Sequence, residues 1–264
     1  MGRNKEVAIS CIQMDVVLSE VKTNLKYALK LIDQACRHNP DIICLPELFT
    51  TGYCLKRATE LAQPIPGPTT ELLSQKSKEV GCYLIAGSIL EKGDSGIYNT
   101  SVIFDRAGRI RAKYRKMHLF APFGEPGHLT PGDRTVAVET EWGKVSVVIC
   151  YDLRFPELFR ELATTGVRIV FVPAEFPHPR LTDWQTLLMA RAIDNHIYTV
   201  GVNRVGSDLG ADFFGHTMIV DPLGKVAGEL NDREGILTLK IGLSRGIRKP
   251  YLTSLPFFSC KCDR

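Results

Sequence analysis

Short apolar runs alternate with amphipathic stretches along most of the chain. A run rich in β-branched residues predicts a buried strand, and apolar residues at i, i+3, i+4 and i+7 predict a helix. The first predicted strand is VAISCIQMD (7–15), and a second, DIICLP (41–46), follows a helix from roughly Val21 to His38. The apolar face of this helix consists of Leu25, Ala28, Leu29 and Ile32.

The middle of the chain contains patterns typical of antiparallel strands. A helix is predicted from about Thr70 to Glu79, ended by Gly81, and the apolar strand CYLIAGSIL (82–90) follows it. Two hairpins are predicted, one turning at Ala107-Gly108 and the other at Trp142-Gly143. Because hairpins join antiparallel neighbours, a purely parallel sheet does not fit this part of the chain.

The last third returns to strand–helix alternation. Pro156 is predicted at the first position of a helix, FPELFRELATTG (155–166), and Thr182 with Gln185 has the spacing of a capping box at the start of TDWQTLLMARAIDNHIY. The apolar face of this later helix consists of Trp184, Leu187, Leu188 and Ile193. The remaining strands are VRIVFVPAEF (167–176), YTVGVNRV (198–205), HTMIVDP (216–222) and ILTLKI (236–241).

This alternation, without a linker, low-complexity tract or exact repeat, predicts one α/β domain over residues 1–264, built on two sheets. We expect the tail from about residue 243 to 264 to be extended, with a subunit interface as a candidate place for it.

Composition narrows the class of protein. The N-terminus MGRNKEVAIS has no apolar signal core, so we expect a cytoplasmic protein whose eight cysteines are reduced. No apolar run approaches the ~20 residues of a membrane span, so no membrane partner is expected. The net charge of +4 comes without a basic run, which argues against nucleic acid. Cys260 and Cys262 are too close together for a zinc site, and no metal is expected.

Cys150 is the first candidate for chemistry. It ends the apolar run VSVVIC and is followed by Tyr151, Asp152 and Arg154, so a charged turn follows a buried strand. A thiol at the start of a helix is favoured as a thiolate by the backbone N–H groups. The alternative is an inert core cysteine, which is the more common case for a cysteine taken alone.

A nucleophilic thiol needs a base, and two kinds are available. His118 and His216 lie in no motif that identifies a cysteine–histidine pair, so that arrangement remains open but unsupported. Glu47 follows the strand DIICLP, and Lys116 ends the first hairpin. Each alone is more often a surface residue or part of an ion pair. Together with Cys150 they would supply a nucleophile, a proton carrier and a cation for an oxyanion.

The chain resembles the nitrilase superfamily of carbon–nitrogen hydrolases in LPELFTTGY around Glu47, YRKMHLF around Lys116 and ICYDLRFPEL around Cys150. Two downstream segments, containing ARAIDN and GHTMIVDPLG, add to the resemblance. It implies a four-layer α-β-β-α sandwich without a cofactor, in which these three side chains converge. The family's second glutamate falls on Glu125 in FGEPGHLTPGD, and pairing of such proteins through helices implies a homodimer.

The segment AEFPHPRLTDW resembles the W-P-x-P-R segment of an omega-amidase-like branch, with Phe176 at the tryptophan position. This implies hydrolysis of a small-molecule amide, such as 2-oxoglutaramate, through a cysteine thioester. Arg180 is the candidate for binding a substrate carboxylate, its alternative being a solvated arginine before a helix. Tyr151 is expected to offer a backbone N–H to the oxyanion. The expected pocket wall consists of Phe176, Tyr53 and Phe123.

Alternatives on the same fold are a nitrilase and an N-carbamoyl amine hydrolase. Outside it, a catalytically idle scaffold protein would predict a broken set of catalytic residues, whereas Glu47, Lys116 and Cys150 are all present. A metal-dependent hydrolase is a further alternative, although the chain has no H-E-x-x-H motif.

Overall fold

The computed structural model describes residues 5–243. Its strands in chain order are β1 (Lys5–Gln13), β2 (Ile42–Cys44), β3 (Tyr83–Ile85), β4 (Ile89–Gly93), β5 (Gly96–Phe104), β6 (Ile110–Arg115), β7 (Val138–Thr140), β8 (Gly143–Val147), β9 (Val167–Ala174), β10 (Tyr198–Asn203), β11 (Val205–Asp208), β12 (Ala211–Phe214), β13 (Met218–Val220), β14 (Val226–Glu229) and β15 (Gly235–Leu243). The predicted tail beyond residue 243 lies outside the described residues.

Helices lie between these strands. The α-helices are α1 (Val21–Cys36), α2 (Ala58–Leu61), α3 (Pro68–Val80), α4 (Pro156–Thr164) and α5 (Leu181–Asn195). Short 3-10 helices cover Leu55–Arg57, Ala121–Phe123, Glu125–Gly127 and Cys150–Arg154. None of the helices within residues 5–243 is long and apolar enough to cross a bilayer.

Two mixed sheets form the centre of the molecule. The first has the strand order β15-β1-β2-β3-β5-β4, with β6 paired to β5, and its β1, β2 and β3 run parallel. The second has the order β14-β13-β10-β9-β8-β7, with β8, β9 and β10 parallel. The hairpins predicted at Ala107-Gly108 and Trp142-Gly143 are confirmed as β5–β6 and β7–β8.

The two sheets pack face to face. One apolar cluster joins Ile9 and Cys11 of the first sheet to Val147, Phe171 and Val200 of the second, all without solvent exposure. Burying each such large side chain stabilises the fold by roughly 1.5–3 kcal/mol. On the outer faces, α1 and α3 cover the first sheet, whereas α4 and α5 cover the second. The predicted four-layer α-β-β-α sandwich is confirmed.

The predicted strand CYLIAGSIL is interrupted, and the interruption supports the candidate site described below. The chain leaves β3 at Ile85 and re-enters a strand at Ile89. Gly87 has φ +52°, and a Cβ there would collide with the carbonyl oxygen of Pro46. Only glycine permits this approach. The Ser88 N–H then donates to the Pro46 carbonyl, so this corner supports the turn that follows β2.

The start of α5 differs from the sequence prediction. Arg180 is the N-cap residue, and the Trp184 N–H donates to the Arg180 carbonyl, so the helix begins before Thr182 and the predicted capping box is wrong. The Gln185 side chain instead donates to Glu229 across the surface. Ile193, predicted on the buried face, is 49% exposed. The helix therefore presents an apolar residue to solvent near its end.

Candidate active site

Glu47 lies in the turn after β2, and its carboxylate is fully buried. Three side-chain donors converge on its Oε1: Lys116 Nζ and Asn99 Nδ2, both at 2.8 Å, and Tyr53 Oη at 3.1 Å. Its Oε2 accepts the backbone N–H of Glu175 at 2.9 Å. These bonds compensate for the lost hydration of the carboxylate and hold it in one orientation.

Lys116 directly follows β6 and is also fully buried. Its Nζ lies 2.8 Å from Glu47 Oε1 and 2.8 Å from Glu125 Oε1. Burial by itself would lower the pKa of Lys116, but Glu125 and Glu47 raise it well above its ordinary value. The ammonium therefore stays charged in a place where an isolated lysine would lose its proton.

Glu125 completes this buried cluster. It begins the 3-10 helix Glu125–Gly127, and its Oε2 accepts the Phe120 N–H at 2.5 Å. Burial raises the pKa of Glu125, although Lys116 opposes the rise. The structure thus brings Glu47, Lys116 and Glu125 together, as the sequence predicted.

Cys150 is 5% exposed and has the left-handed φ of +46°. Burial raises the pKa of the Cys150 thiol well above its ordinary value, and the nearby Glu47 adds to the rise. The expectation that the helix start favours a thiolate is wrong. The helix is a five-residue 3-10 turn, and the loss of hydration outweighs its small dipole.

Asp152 holds the turn at Cys150 in place. Its Oδ2 accepts the Ile149 N–H at 3.0 Å and the Tyr114 hydroxyl at 2.7 Å. Its Oδ1 lies 2.9 Å from both the backbone nitrogen and Nδ1 of His118. His216, the other candidate, bonds Glu229 through Nδ1 at 2.7 Å. Both histidines are therefore oriented by other carboxylates, whereas Glu47 is the carboxylate with the largest effect on the thiol.

A narrow cleft opens above the thiol. It is lined by Phe120, Cys150, Tyr151, Arg154, Glu175, Phe176, Pro177 and Arg180. Three of the predicted binding residues, Tyr151, Phe176 and Arg180, thus lie together. Tyr53 lies next to Glu47, and the Phe123 ring packs edge-on against the Tyr53 ring, with ring centroids 4.9 Å apart. Both rings line a neighbouring pocket.

Two arginines at this cleft differ in their partners. Arg154 Nη2 forms an ion pair with Asp183 Oδ2 at 2.5 Å. The Arg180 guanidinium lies 5.4 Å from the centre of the Phe120 ring, and no carboxylate within residues 5–243 pairs with it. An unpaired guanidinium beside a cleft is suited to bind an anion bidentately.

Sequence reasoning missed Asn99 and Glu175 as site residues. Asn99 is a buried amide in β5, and the buried polar residues Thr100 and Ser101 follow it directly, so no periodic signal singles out Asn99. Glu175 directly follows β9 much as Glu47 follows β2. That shared position, a glutamate at the end of a buried strand, was a usable signal.

The part of the chain that the structure describes contains no group of three or more His, Cys, Asp or Glu side chains arranged to hold a metal ion. The charge next to the thiol is instead supplied by Lys116, whose ammonium lies between two carboxylates.

Comparison with known proteins gives one consistent result. A family model described as carbon-nitrogen hydrolase matches residues 8–251. The 2-oxoglutaramate amidase of Bacillus subtilis (strain 168) is 39% identical over 235 residues, covering 89% of this chain and 90% of that protein. Omega-amidase NIT2-A of Xenopus laevis is 39% identical over 238 residues, covering 86% of each chain.

Solved structures agree with these relatives. Nit3 of Saccharomyces cerevisiae, a member of branch 10 of the nitrilase superfamily, has a TM-score of 0.84 and 28% identity, and the match covers 98% of this chain and 97% of Nit3. A variant of the amidase from Nesterenkonia sp. AN1 carries the acetamide moiety of fluoroacetamide covalently on its active-site cysteine. It has a TM-score of 0.83 and 25% identity, with 89% of this chain and 90% of that one covered.

Proposed function

The chain belongs to the carbon–nitrogen hydrolase family, and on that premise we propose that it releases ammonia from a small omega-amide of a 2-oxo dicarboxylic acid, such as 2-oxoglutaramate or 2-oxosuccinamate. Two relatives at 39% identity carry the names 2-oxoglutaramate amidase and omega-amidase. The observation that carries the proposal is that Cys150, whose thiol lies near the charges of Glu47 and Lys116, shares a cleft with the unpaired Arg180. A reactive end and an anion-binding end therefore lie in one small space.

The first step forms the covalent bond. Glu47 accepts the proton of the Cys150 thiol, and the sulfur attacks the amide carbon. The resulting oxyanion is stabilised by the Lys116 ammonium and by the backbone N–H of Tyr151. One such donor contributes roughly 3 kcal/mol or more to lowering the barrier in a site that excludes water.

The second step breaks the carbon–nitrogen bond. Glu47 gives its proton to the amide nitrogen, ammonia leaves, and the acyl group remains on Cys150 as a thioester. Glu47 then removes a proton from water, which attacks the thioester and releases the carboxylate and the thiol. Glu47 returns that proton to the sulfur, and the proton lost by the product acid is taken up by ammonia, so the sum is amide plus water giving carboxylate plus ammonium. The cysteine adduct in the related amidase supports this route.

Glu125 serves this chemistry by holding Lys116. It contacts Lys116 Nζ at the same distance as Glu47 does, so the ammonium is fixed between two carboxylates. When Glu47 is protonated during the cycle, Glu125 keeps a carboxylate beside the ammonium and so maintains its charge.

Arg180 selects the substrate by its distant end. The guanidinium would bind the carboxylate of a 2-oxo acid monoamide while the amide carbon lies at Cys150. The Phe176 ring, 3% exposed and packed on Trp184 with centroids 5.3 Å apart, supplies a rigid wall between the two ends.

An ammonia-release screen over amides, nitriles and N-carbamoyl amines tests the function. We expect 2-oxo acid monoamides to have the highest kcat/KM and Cys150→Ala to abolish turnover. A nitrile as the best substrate, or carbon dioxide released together with ammonia, would instead identify one of the alternatives on this fold.

Arg180→Ala tests the anion-binding end. We expect KM for 2-oxoglutaramate to rise roughly tenfold to a hundredfold, since a charged hydrogen-bonded pair contributes about 1.5–3 kcal/mol. KM for an uncharged amide should stay nearly unchanged. Arg154→Ala is the matched control, because Arg154 lines the same cleft but is already paired with Asp183. An equal effect of Arg180→Ala on both substrates would remove Arg180 from the binding site.

We also propose a homodimer in the cytoplasm. Ile193 at the end of α5 and Leu223 after β13 are 49% and 79% exposed, which favours a covered face beside the second sheet. Sedimentation of the wild type and Ile193→Glu tests the dimer, and a monomeric wild type would contradict it.

The cytoplasmic location is supported by the six cysteines of the described residues, which carry free thiols, as in a reducing compartment. Fractionation of cells tests the compartment, and recovery outside the cytoplasmic fraction would contradict it.

A further inference from the structure

Glu175 is a second buried glutamate at this cleft, and the reaction described above does not use its carboxyl group. It directly follows β9, is 1% exposed and lines the cleft with Cys150 and Arg180. Its backbone N–H donates to Glu47 Oε2. Its position is therefore tied to the catalytic carboxylate.

The carboxyl group of Glu175 is poorly partnered for its burial. Its Oε2 lies 3.5 Å from Arg204 Nη1, at the limit of a hydrogen bond. The same guanidinium makes shorter ion pairs to Asp208 at 2.6 Å and to Asp15 at 3.0 Å. Arg204 thus already has two closer carboxylates, and only a small part of its charge is directed to Glu175.

The other oxygen, Oε1, is buried and has no hydrogen-bond partner within the described residues. A buried polar atom without a hydrogen-bond partner costs roughly 1–3 kcal/mol. A folded protein therefore rarely keeps such an atom unless a bound molecule supplies the partner. Glu175 lines the cleft, and the contents of the cleft are the available source of that missing partner.

The protonation state of Glu175 indicates whether its missing hydrogen-bond partner is a donor or an acceptor. Burial raises the pKa of Glu175 well above its ordinary value, and Arg204 only partly opposes the rise. A neutral carboxyl has one O–H. Since the guanidinium facing Oε2 can only donate, the proton belongs on Oε1. The unpartnered group is therefore a hydrogen-bond donor that needs an acceptor.

A 2-oxo acid monoamide offers three acceptors. Its amide oxygen is assigned above to Lys116 and the Tyr151 N–H, and its carboxylate to Arg180. The 2-oxo oxygen remains. Building on the proposed function, we infer that Glu175 is a specificity residue whose Oε1–H donates to the 2-oxo oxygen of the substrate and so distinguishes 2-oxo acid amides from 2-amino acid amides. A 2-ammonium group offers no acceptor for the O–H and would place a second positive charge beside Arg180.

The wild type supplies the first test. 2-Oxoglutaramate and glutaramate differ only in the 2-oxo group, so both keep the amide and the carboxylate. We expect kcat/KM to be roughly tenfold to a hundredfold higher for 2-oxoglutaramate, because a site built to bond a polar group rejects the analogue that lacks it. Glutamine should react more slowly than glutaramate. Equal kcat/KM for 2-oxoglutaramate and glutaramate would overturn the inference.

Two variants locate the effect at Glu175. Glu175→Leu should lower kcat/KM for 2-oxoglutaramate much more than kcat/KM for glutaramate, so that the wild-type ratio of roughly tenfold or more falls to about one. Glu175→Gln keeps a neutral donor of the same shape and should retain most of the preference. If Glu175 had a purely structural role, Glu175→Leu would instead lower kcat/KM for both substrates by the same factor. Loss of the preference in Glu175→Gln would also contradict a neutral donor.

This inference can fail separately from the proposed function. If the wild type releases ammonia from both monoamides equally well, the omega-amidase activity stands and the role of Glu175 falls. If it releases ammonia from neither monoamide, the proposed function falls first. If Glu175→Leu does not fold, the role of Glu175 is still tested by Glu175→Gln and by the wild-type comparison of 2-oxoglutaramate with glutaramate.

Discussion

At the scale of single residues, the site depends on ionisable groups that have no solvent exposure. Glu47, Lys116 and Glu125 are all 0% exposed. Transferring each group from water costs several kcal/mol, which their mutual contacts and the hydrogen bonds from neighbouring groups offset. Removing one partner of such a cluster destabilises a protein by roughly 3–5 kcal/mol. Variants that keep shape, such as Glu47→Gln, therefore report on chemistry better than alanine does.

The protonation of Cys150 gives a prediction at this scale. Because burial and Glu47 raise the pKa of the thiol above 9.0, the sulfur is protonated in the resting enzyme near neutral pH. The far-ultraviolet thiolate absorbance of the wild type minus that of Cys150→Ser should be flat through neutral pH and rise only in the alkaline range. A thiolate already present at neutral pH would mean that the turn activates the sulfur without Glu47.

At the scale of elements, the site is assembled from the ends of strands. Glu47 follows β2, Glu175 follows β9, Lys116 follows β6 and Cys150 comes three residues after β8. The apolar runs predicted these strands, and the residue at each end was visible in the sequence. This is why Glu47, Lys116 and Cys150 could be proposed as site residues from the sequence.

Other parts depend on contacts that leave no local pattern. The break between β3 and β4 exists because Gly87 approaches the Pro46 carbonyl, a residue far away in the chain. The hydrogen bond from Asn99 to Glu47 joins residues that are 52 positions apart. The raised pKa of Cys150 reflects its burial in the folded chain, whereas the sequence showed only the nearby helix start.

Glu91 gives a prediction at the scale of elements. Located on β4, it accepts hydrogen bonds from Arg115 and Lys113 of β6 and so fixes the strand that ends before Lys116. Burial would raise the pKa of Glu91, but Arg115, Thr100 and Lys113 lower it from 4.5 to about 2. We expect Glu91→Gln to reduce the free energy of unfolding by about 2 kcal/mol near neutral pH, after allowance for partly solvated partners.

The sign of the pH dependence follows from the lowered pKa of Glu91. Its stabilisation is fully present above the unfolded value of 4.5 and is lost as pH falls towards about 2. The difference between wild type and Glu91→Gln in urea denaturation should therefore be constant above about pH 5 and shrink below it. Glu139→Gln, at a carboxylate whose side chain is 69% exposed, is the control and should change stability by less than about 0.5 kcal/mol. A Glu91→Gln difference that grows on acidification would contradict the assignment.

At the scale of the whole molecule, the two sheets bring together groups from distant parts of the chain. Glu47 and Lys116 follow strands of the first sheet, whereas Cys150 and Glu175 follow strands of the second. The helices on the outer faces bury the sheets, and the shared core sets the distance between them. The catalytic arrangement is therefore a property of the sandwich, and loosening the core should lower activity before it unfolds the chain.

The central claim is that the carbon–nitrogen bond is broken through an acyl group on Cys150. The most direct test is turnover of glutaramate, which has no ketone to form an oxime, in the presence of hydroxylamine, with the products separated by chromatography. A thioester predicts that hydroxamate forms in proportion to the hydroxylamine present and that Cys150→Ala forms neither hydroxamate nor ammonia. Ammonia release by Cys150→Ala at a rate near that of the wild type, without hydroxamate, would contradict it.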